Sequence, residues 1–108
     1  MLQDAHTRKV SIPVSAPIGT TTIIASVPNT WLYVHDLVGD LDAAGTIAIY
    51  AGSRELAAFS LAAGQGFSLS DEPGEDNRPR FECKPGENFI ITTVGGNFIG
   101  SAHYSLRY

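Results

Sequence analysis

Short runs of apolar and β-branched residues recur along the chain at intervals of about 8 to 12 residues, each stopped by proline, glycine or asparagine, the pattern of an all-β sandwich or barrel. "KVSIPVS", residues 9–15, alternates cleanly: Val10, Ile12 and Val14 fall on one face, Ser11, Pro13 and Ser15 on the other. Pro13 has no amide hydrogen to donate, so this strand belongs at a sheet edge. "TTTIIASV" follows Gly19 and stops at Pro28-Asn29. "TWLYVHDLV", "TIAIY", "ELAAFSL" and "GFSL" come next, then strands near residues 81–83, 88–94 and 98–108. "LAAFSLAAG" has helix-forming composition, but its length and flanking glycines predict a strand. Residues 10–108 are predicted to form one antiparallel β-sandwich domain, preceded by a polar N-terminal arm over residues 1–9.

The balance of 44% hydrophobic and 17% charged residues over 108 residues suits a compact globule and excludes a disordered chain. A net charge of −4 with dispersed acidic residues argues against a nucleic-acid partner, which needs a basic patch. The single cysteine, Cys83, cannot make an internal disulfide. "MLQDAHTRKV" lacks the apolar centre of a signal peptide. The charge-free run over residues 10–34 is broken by Pro13, Pro17 and Pro28, so it cannot cross a bilayer. The expectation is a soluble protein from a reducing compartment, with no membrane partner.

Two strands carry more information than the rest. In the C-terminal strand Phe98, Ala102, Tyr104, Leu106 and Tyr108 share one side, and Ile99, Ser101, His103, Ser105 and Arg107 the other, which predicts one buried and one wet face. "TWLYVHDLV" is apolar on both sides. Strict alternation puts Leu32, Val34 and Val38 on one face, and Trp31, Tyr33 and Leu37 on the other. A two-layer sandwich covers only one of these faces. Trp31, Tyr33 and Leu37 are therefore the expected interface with another chain or a covering loop.

Candidate chemistry is sparse. In "RFECKPGENFIITT", residues 80–93, Lys84-Pro85-Gly86-Glu87 has proline where φ must be near −65° and glycine where φ must be positive, the signature of a type II turn. Such a turn splays the flanking strands, so the chain is expected to cross between sheets there, with Lys84 and Glu87 as exposed charges. Cys83 has no base beside it and is expected to be structural. His35 and Asp36 are sequence neighbours, which face opposite ways on a strand unless a bulge intervenes. His6, His35 and His103 lack metal-ligand spacing, and Asp36, Asp40 and Asp42 lack the pattern of a calcium loop. No acid, base and nucleophile assemble, so no enzyme activity and no cofactor are expected. Trp31, Tyr33 and Tyr50 could alternatively form an aromatic platform for a sugar, in a carbohydrate- or receptor-binding module.

Over about residues 45–108, Tyr50, Gly52, Leu61, Gly64, Gly66, Phe67, Leu69, Phe81, Gly86, Glu87, Gly100 and Tyr104 make a pattern that resembles small structural proteins of tailed bacteriophages. The resemblance implies a jelly-roll sandwich of eight or nine strands in the virion, a head decoration (cement) protein sitting on the capsid as a homotrimer, made in the host cytoplasm. Its partners would be further copies of itself and the major capsid protein. Gln3, His6 and Arg8 in the arm, and Asp71, Glu72, Glu75 and Asp76 in the acidic loop, are the expected capsid contacts.

Overall fold

The computed structural model describes residues 10–70 and 79–107. They contain nine strands: β1 (Val10–Ala16), β2 (Gly19–Ile24), β3 (Trp31–Leu41), β4 (Gly45–Ala51), β5 (Arg54–Leu61), β6 (Gly66–Leu69), β7 (Phe81–Cys83), β8 (Phe89–Val94) and β9 (Phe98–Arg107). The front sheet runs β1-β9-β3-β6, with β7 also on β3; the back sheet runs β2-β8-β4-β5. Every pairing is antiparallel. With β7 set aside, this interleaving of early and late strands in two four-stranded sheets is a jelly roll. "LAAFSLAAG" supplies residues 56–61 of β5, a strand as predicted.

Alternation builds the core. Leu32, Val34 and Leu41 of β3, Ile47, Ile49 and Ala51 of β4, Phe89 and Ile91 of β8, and Phe98 and Ala102 of β9 are all buried between the sheets. Each large apolar side chain fully removed from water contributes about 1.5–3 kcal/mol. A line of rings, Phe59, Phe67 and Phe98, runs through one end, with centroids 5.8 and 5.5 Å apart. It fits because Gly39 and Gly100 face one another across β3 and β9. A Cβ on Gly39 would stand 2.6 Å from the Phe98 ring, and one on Gly100 would run into the Val38 carbonyl.

β3 is the spine of the front sheet. It pairs with β9 along its whole length, and its other side is shared by β7, opposite Leu32, Tyr33 and Val34, and β6, opposite Leu37 to Asp40. The register with β9 slips between Val34 and Asp36, so His35 is the extra residue of a β-bulge. The bulge sits between the end of β6 at Leu69 and the start of β7 at Phe81. Beyond it the parity of β3 is reversed from the expected alternation. Leu37 joins Leu32 and Val34 in the core at 0% exposure, while Val38 moves to the outer face in register with Ser101. Leu37 is therefore not an interface residue, a correction to the sequence expectation that follows directly from the one-residue slip.

The Pro85-Gly86 turn behaves as predicted. The Glu87 amide donates to the Lys84 carbonyl at 2.9 Å, Gly86 takes φ +92°, and the chain passes from β7 in the front sheet to β8 in the back sheet. At the other end of the sandwich the Asp42 carboxylate accepts from the Asn97 amide at 2.7 Å and from Asn97 Nδ2 at 2.9 Å. These bonds tie the β3–β4 loop to the β8–β9 turn and hold the Asp42 carboxyl below its ordinary value.

Candidate self-association surface

The outer face of the front sheet carries a cluster of Trp31, Tyr33, His35, Asp36, His103, Ser105 and Arg107. Register explains the grouping. Trp31 lies opposite Arg107, Tyr33 opposite Ser105, and Asp36 opposite His103, all on the side of the sheet away from the core. The Trp31 and Tyr33 rings are 6.4 Å apart and tilted by 54°. The Arg107 guanidinium lies over the Tyr33 ring at 5.8 Å, a cation–π contact that holds the aromatic ring and the charge in one plane of the surface. Trp31 remains 36% exposed, a large apolar area on a sheet face that solvent otherwise wets. Sequence alternation found Trp31 and Tyr33 but missed Arg107, since its link to Trp31 depends on the β3–β9 register.

The bulge brings His35 and Asp36 to the same face. His35 Nε2 is 2.8 Å from Ser105 Oγ, and Asp36 Oδ2 is 3.6 Å from His103 Nδ1. A serine–histidine contact resembles half of a nucleophilic pair, but Ser105 is only 3% exposed. A nucleophile must be reached by its substrate. The pair here satisfies a buried hydroxyl.

Tyr50 lies elsewhere. It sits on the outer face of the back sheet, in register with Ile90 and Glu55, and its hydroxyl donates to Glu55 at 3.4 Å. Trp31, Tyr33 and Tyr50 therefore do not share a platform, which corrects the three-ring grouping suggested by the sequence.

Cys83 ends β7 facing the core and is fully buried. Burial pushes its thiol up to about 12, and the neighbouring Glu87 charge adds to the shift. Glu87 itself departs from expectation. Its Oε1 accepts from the Lys84 amide at 2.8 Å and from Arg54 Nη2 at 2.7 Å, while Arg54 Nε reaches Oε2 at 3.3 Å. These bonds draw the Glu87 carboxyl below its usual range, so the residue is a tie between β5 and the turn, not a free surface charge. Beside this tie, a cleft of about 350 Å³ opens between the sheet edges, lined by Arg54, Leu56, Ala57, Pro79, Arg80, Phe81 and Glu82. The expected capsid contacts Gln3, His6, Arg8, Asp71, Glu72, Glu75 and Asp76 lie outside the described residues.

No protein-family model matches the sequence, and no curated protein matches it. Solved structures do. A protein of Bacillus endospore appendages, which form disulfide-linked pili, superposes with a TM-score of 0.51 at 17% identity, over 98% of this chain and 89% of its own. The Drosophila NLP core, studied for pentamer formation and histone binding, superposes with a TM-score of 0.52 at 10% identity, over 91% and 98%. The likeness shows a shared sandwich fold. A virus-like-particle protein of Macrobrachium rosenbergii extra small virus aligns at 5% identity over 100% of this chain and 83% of its own, with a TM-score of 0.45; at that level it does not bear on function.

Proposed function

We propose that the chain is a virion structural protein: a jelly-roll subunit that assembles as a homotrimer on a capsid surface and acts there as a decoration or cement protein. The observation that carries this reading is the Trp31–Tyr33–Arg107 cluster, held rigid by the β3–β9 register on an outer sheet face. Tryptophan, tyrosine and arginine are the residue types that dominate binding hot spots, because each removes a large area from water while losing few rotamers or making several directed contacts. The phage-type pattern of the second half supports the virion setting. Assembly in pili or pentamers, as in the two fold neighbours, is compatible with a sandwich whose task is to pack against its own kind.

In this reading the outer face of the front sheet is buried between copies, and capsid contacts come from the arm and the acidic loop. Such interfaces need about 1,200–2,000 Å² in total, which a subunit this small reaches through several neighbours at once. The saccharide-binding alternative loses Tyr50 from its platform, and Arg107 occupies one face of Tyr33.

The test is direct. Sedimentation equilibrium gives the mass in solution, and co-sedimentation with purified capsids gives the affinity. A trimer that binds capsids, and that Trp31→Ala converts to monomers, supports the proposal. A wild-type protein that stays monomeric and ignores capsids defeats it.

A further inference from the structure

A sheet edge presents unpaired amide and carbonyl groups, and proteins that remain soluble blunt these edges with proline, bulges, charges or short strands. Three of the edges in this sandwich are blunted. β1 carries Pro13. The opposite front edge is divided between four-residue β6 and three-residue β7. β2 is interrupted by a register slip between Thr22 and Ile24.

β5 is different. It is the last strand of the back sheet, and among the described residues it pairs only with β4. A slip in the β4 register leaves Leu56 as the extra residue, after which residues 57–61 pair regularly, from Ala57 opposite Ile49 to Leu61 opposite Gly45. That segment, Ala57-Ala58-Phe59-Ser60-Leu61, contains no proline, glycine or charge. Ala57, Phe59 and Leu61 face the core, and Ala58 and Ser60 are exposed on the outer side.

We propose that β5 is a self-pairing edge: two copies join antiparallel about a two-fold axis at Phe59, so that two four-stranded back sheets become one continuous sheet. The axis follows from the bulge, since Phe59 is the midpoint of the regular segment. The resulting register is self-complementary. Leu61 of one copy faces Ala57 of the other, large against small, and Ala58 faces Ser60. The charges at Arg54 and Glu55 fall opposite Gly64 and Ala63, so no like charges meet. The contact is isologous, as a two-fold requires, and it is separate from the Trp31 face; it stands whether or not that face forms a trimer.

Five paired residues bury well below the ~1,200 Å² of a stable complex, so the contact is weak between free molecules. It strengthens when copies are held side by side, where the effective concentration is about millimolar.

Sedimentation velocity over a concentration series, on the full chain and on Trp31→Ala to silence the other face, measures this association. Ala58→Lys/Ser60→Lys places like charges opposite one another twice and is expected to weaken self-association about tenfold. Ala58→Lys/Ser60→Glu pairs opposite charges across the same axis and is expected to restore it. Both positions are exposed, and circular dichroism confirms that each variant folds. Equal association in all three proteins, or no rescue by the mixed-charge pair, overturns the proposal. So does hydrogen exchange showing the amides of residues 57–61 that do not donate to β4 already protected in the dilute monomer.

Discussion

Glu87 grips Arg54 through both carboxylate oxygens, at 2.7 and 3.3 Å, while also accepting the Lys84 amide. One side chain thereby fastens the start of β5 to the turn that carries the chain between sheets. Glu87→Gln keeps the shape and removes the charge. The pair lies near the surface, where solvent screening limits its worth, so the loss at neutral pH is expected to be at most about 1 kcal/mol by chemical denaturation.

The same contact sets an acid dependence. Glu87 and Asp42 both have carboxyls lowered in the folded chain, Glu87 chiefly by Arg54 and Asp42 chiefly by the Asn97 amide. A lowered folded value means that the unfolded chain takes up the proton first. Their stabilisation is complete above the ordinary values of 4.5 and 3.8, and it is lost as pH falls through the lowered ones. Thermal melts of the wild type should fall over that acid window, and Glu87→Gln should flatten the slope. An unchanged slope would show that the tie does not couple to folding.

Leu37 and Trp31 make a paired comparison. Leu37 is fully buried and Trp31 is 36% exposed. Leu37→Ala should cost about 2–5 kcal/mol of folding stability through the cavity it leaves. Trp31→Ala should change stability by well under half of that and act on association instead. Urea unfolding together with sedimentation separates the two effects.

Gly100→Ala should be among the most damaging small substitutions. The added methyl meets the Val38 carbonyl on the facing strand, and backbone cannot yield as a side-chain tip does. Overpacking of this kind costs about 1–3 kcal/mol or more. A denaturation midpoint equal to that of the wild type would contradict the close β3–β9 approach.

Cys83 should be inert in the folded protein. With the thiol pushed up to about 12 and the side chain buried, thiolate is scarce at pH 8 and reagent cannot reach it. Labelling by a disulfide reagent should follow the unfolding rate and become rapid in denaturant. Fast labelling under native conditions would mean that β7 opens on its own.

The strands were legible because period-two alternation, punctuated by glycine and proline, is a local signal. Pro13 marked β1 as an edge and Pro85-Gly86 marked the crossing between sheets for the same reason. What escaped was long-range. His35-Asp36 gives no local sign of a bulge, since both residues are polar and either could be the extra one, so Leu37 was placed on the wrong face. Arg107 joins Trp31, and Arg54 joins Glu87, only after distant strands are brought into register. Tyr50 could not be assigned to a sheet from its own neighbours, because alternation says which residues share a face but not which of two layers holds them.

The division of one side of β3 between β6 and β7 has a practical consequence. Leu69 and Phe81 lie beside Leu37 and Val34, so the chain leaves and rejoins the same side of β3 within three residues of that strand. Guest sequence spliced between those two points would leave every strand pairing in place. The β6–β7 connection is thus a natural port for carrying foreign peptide.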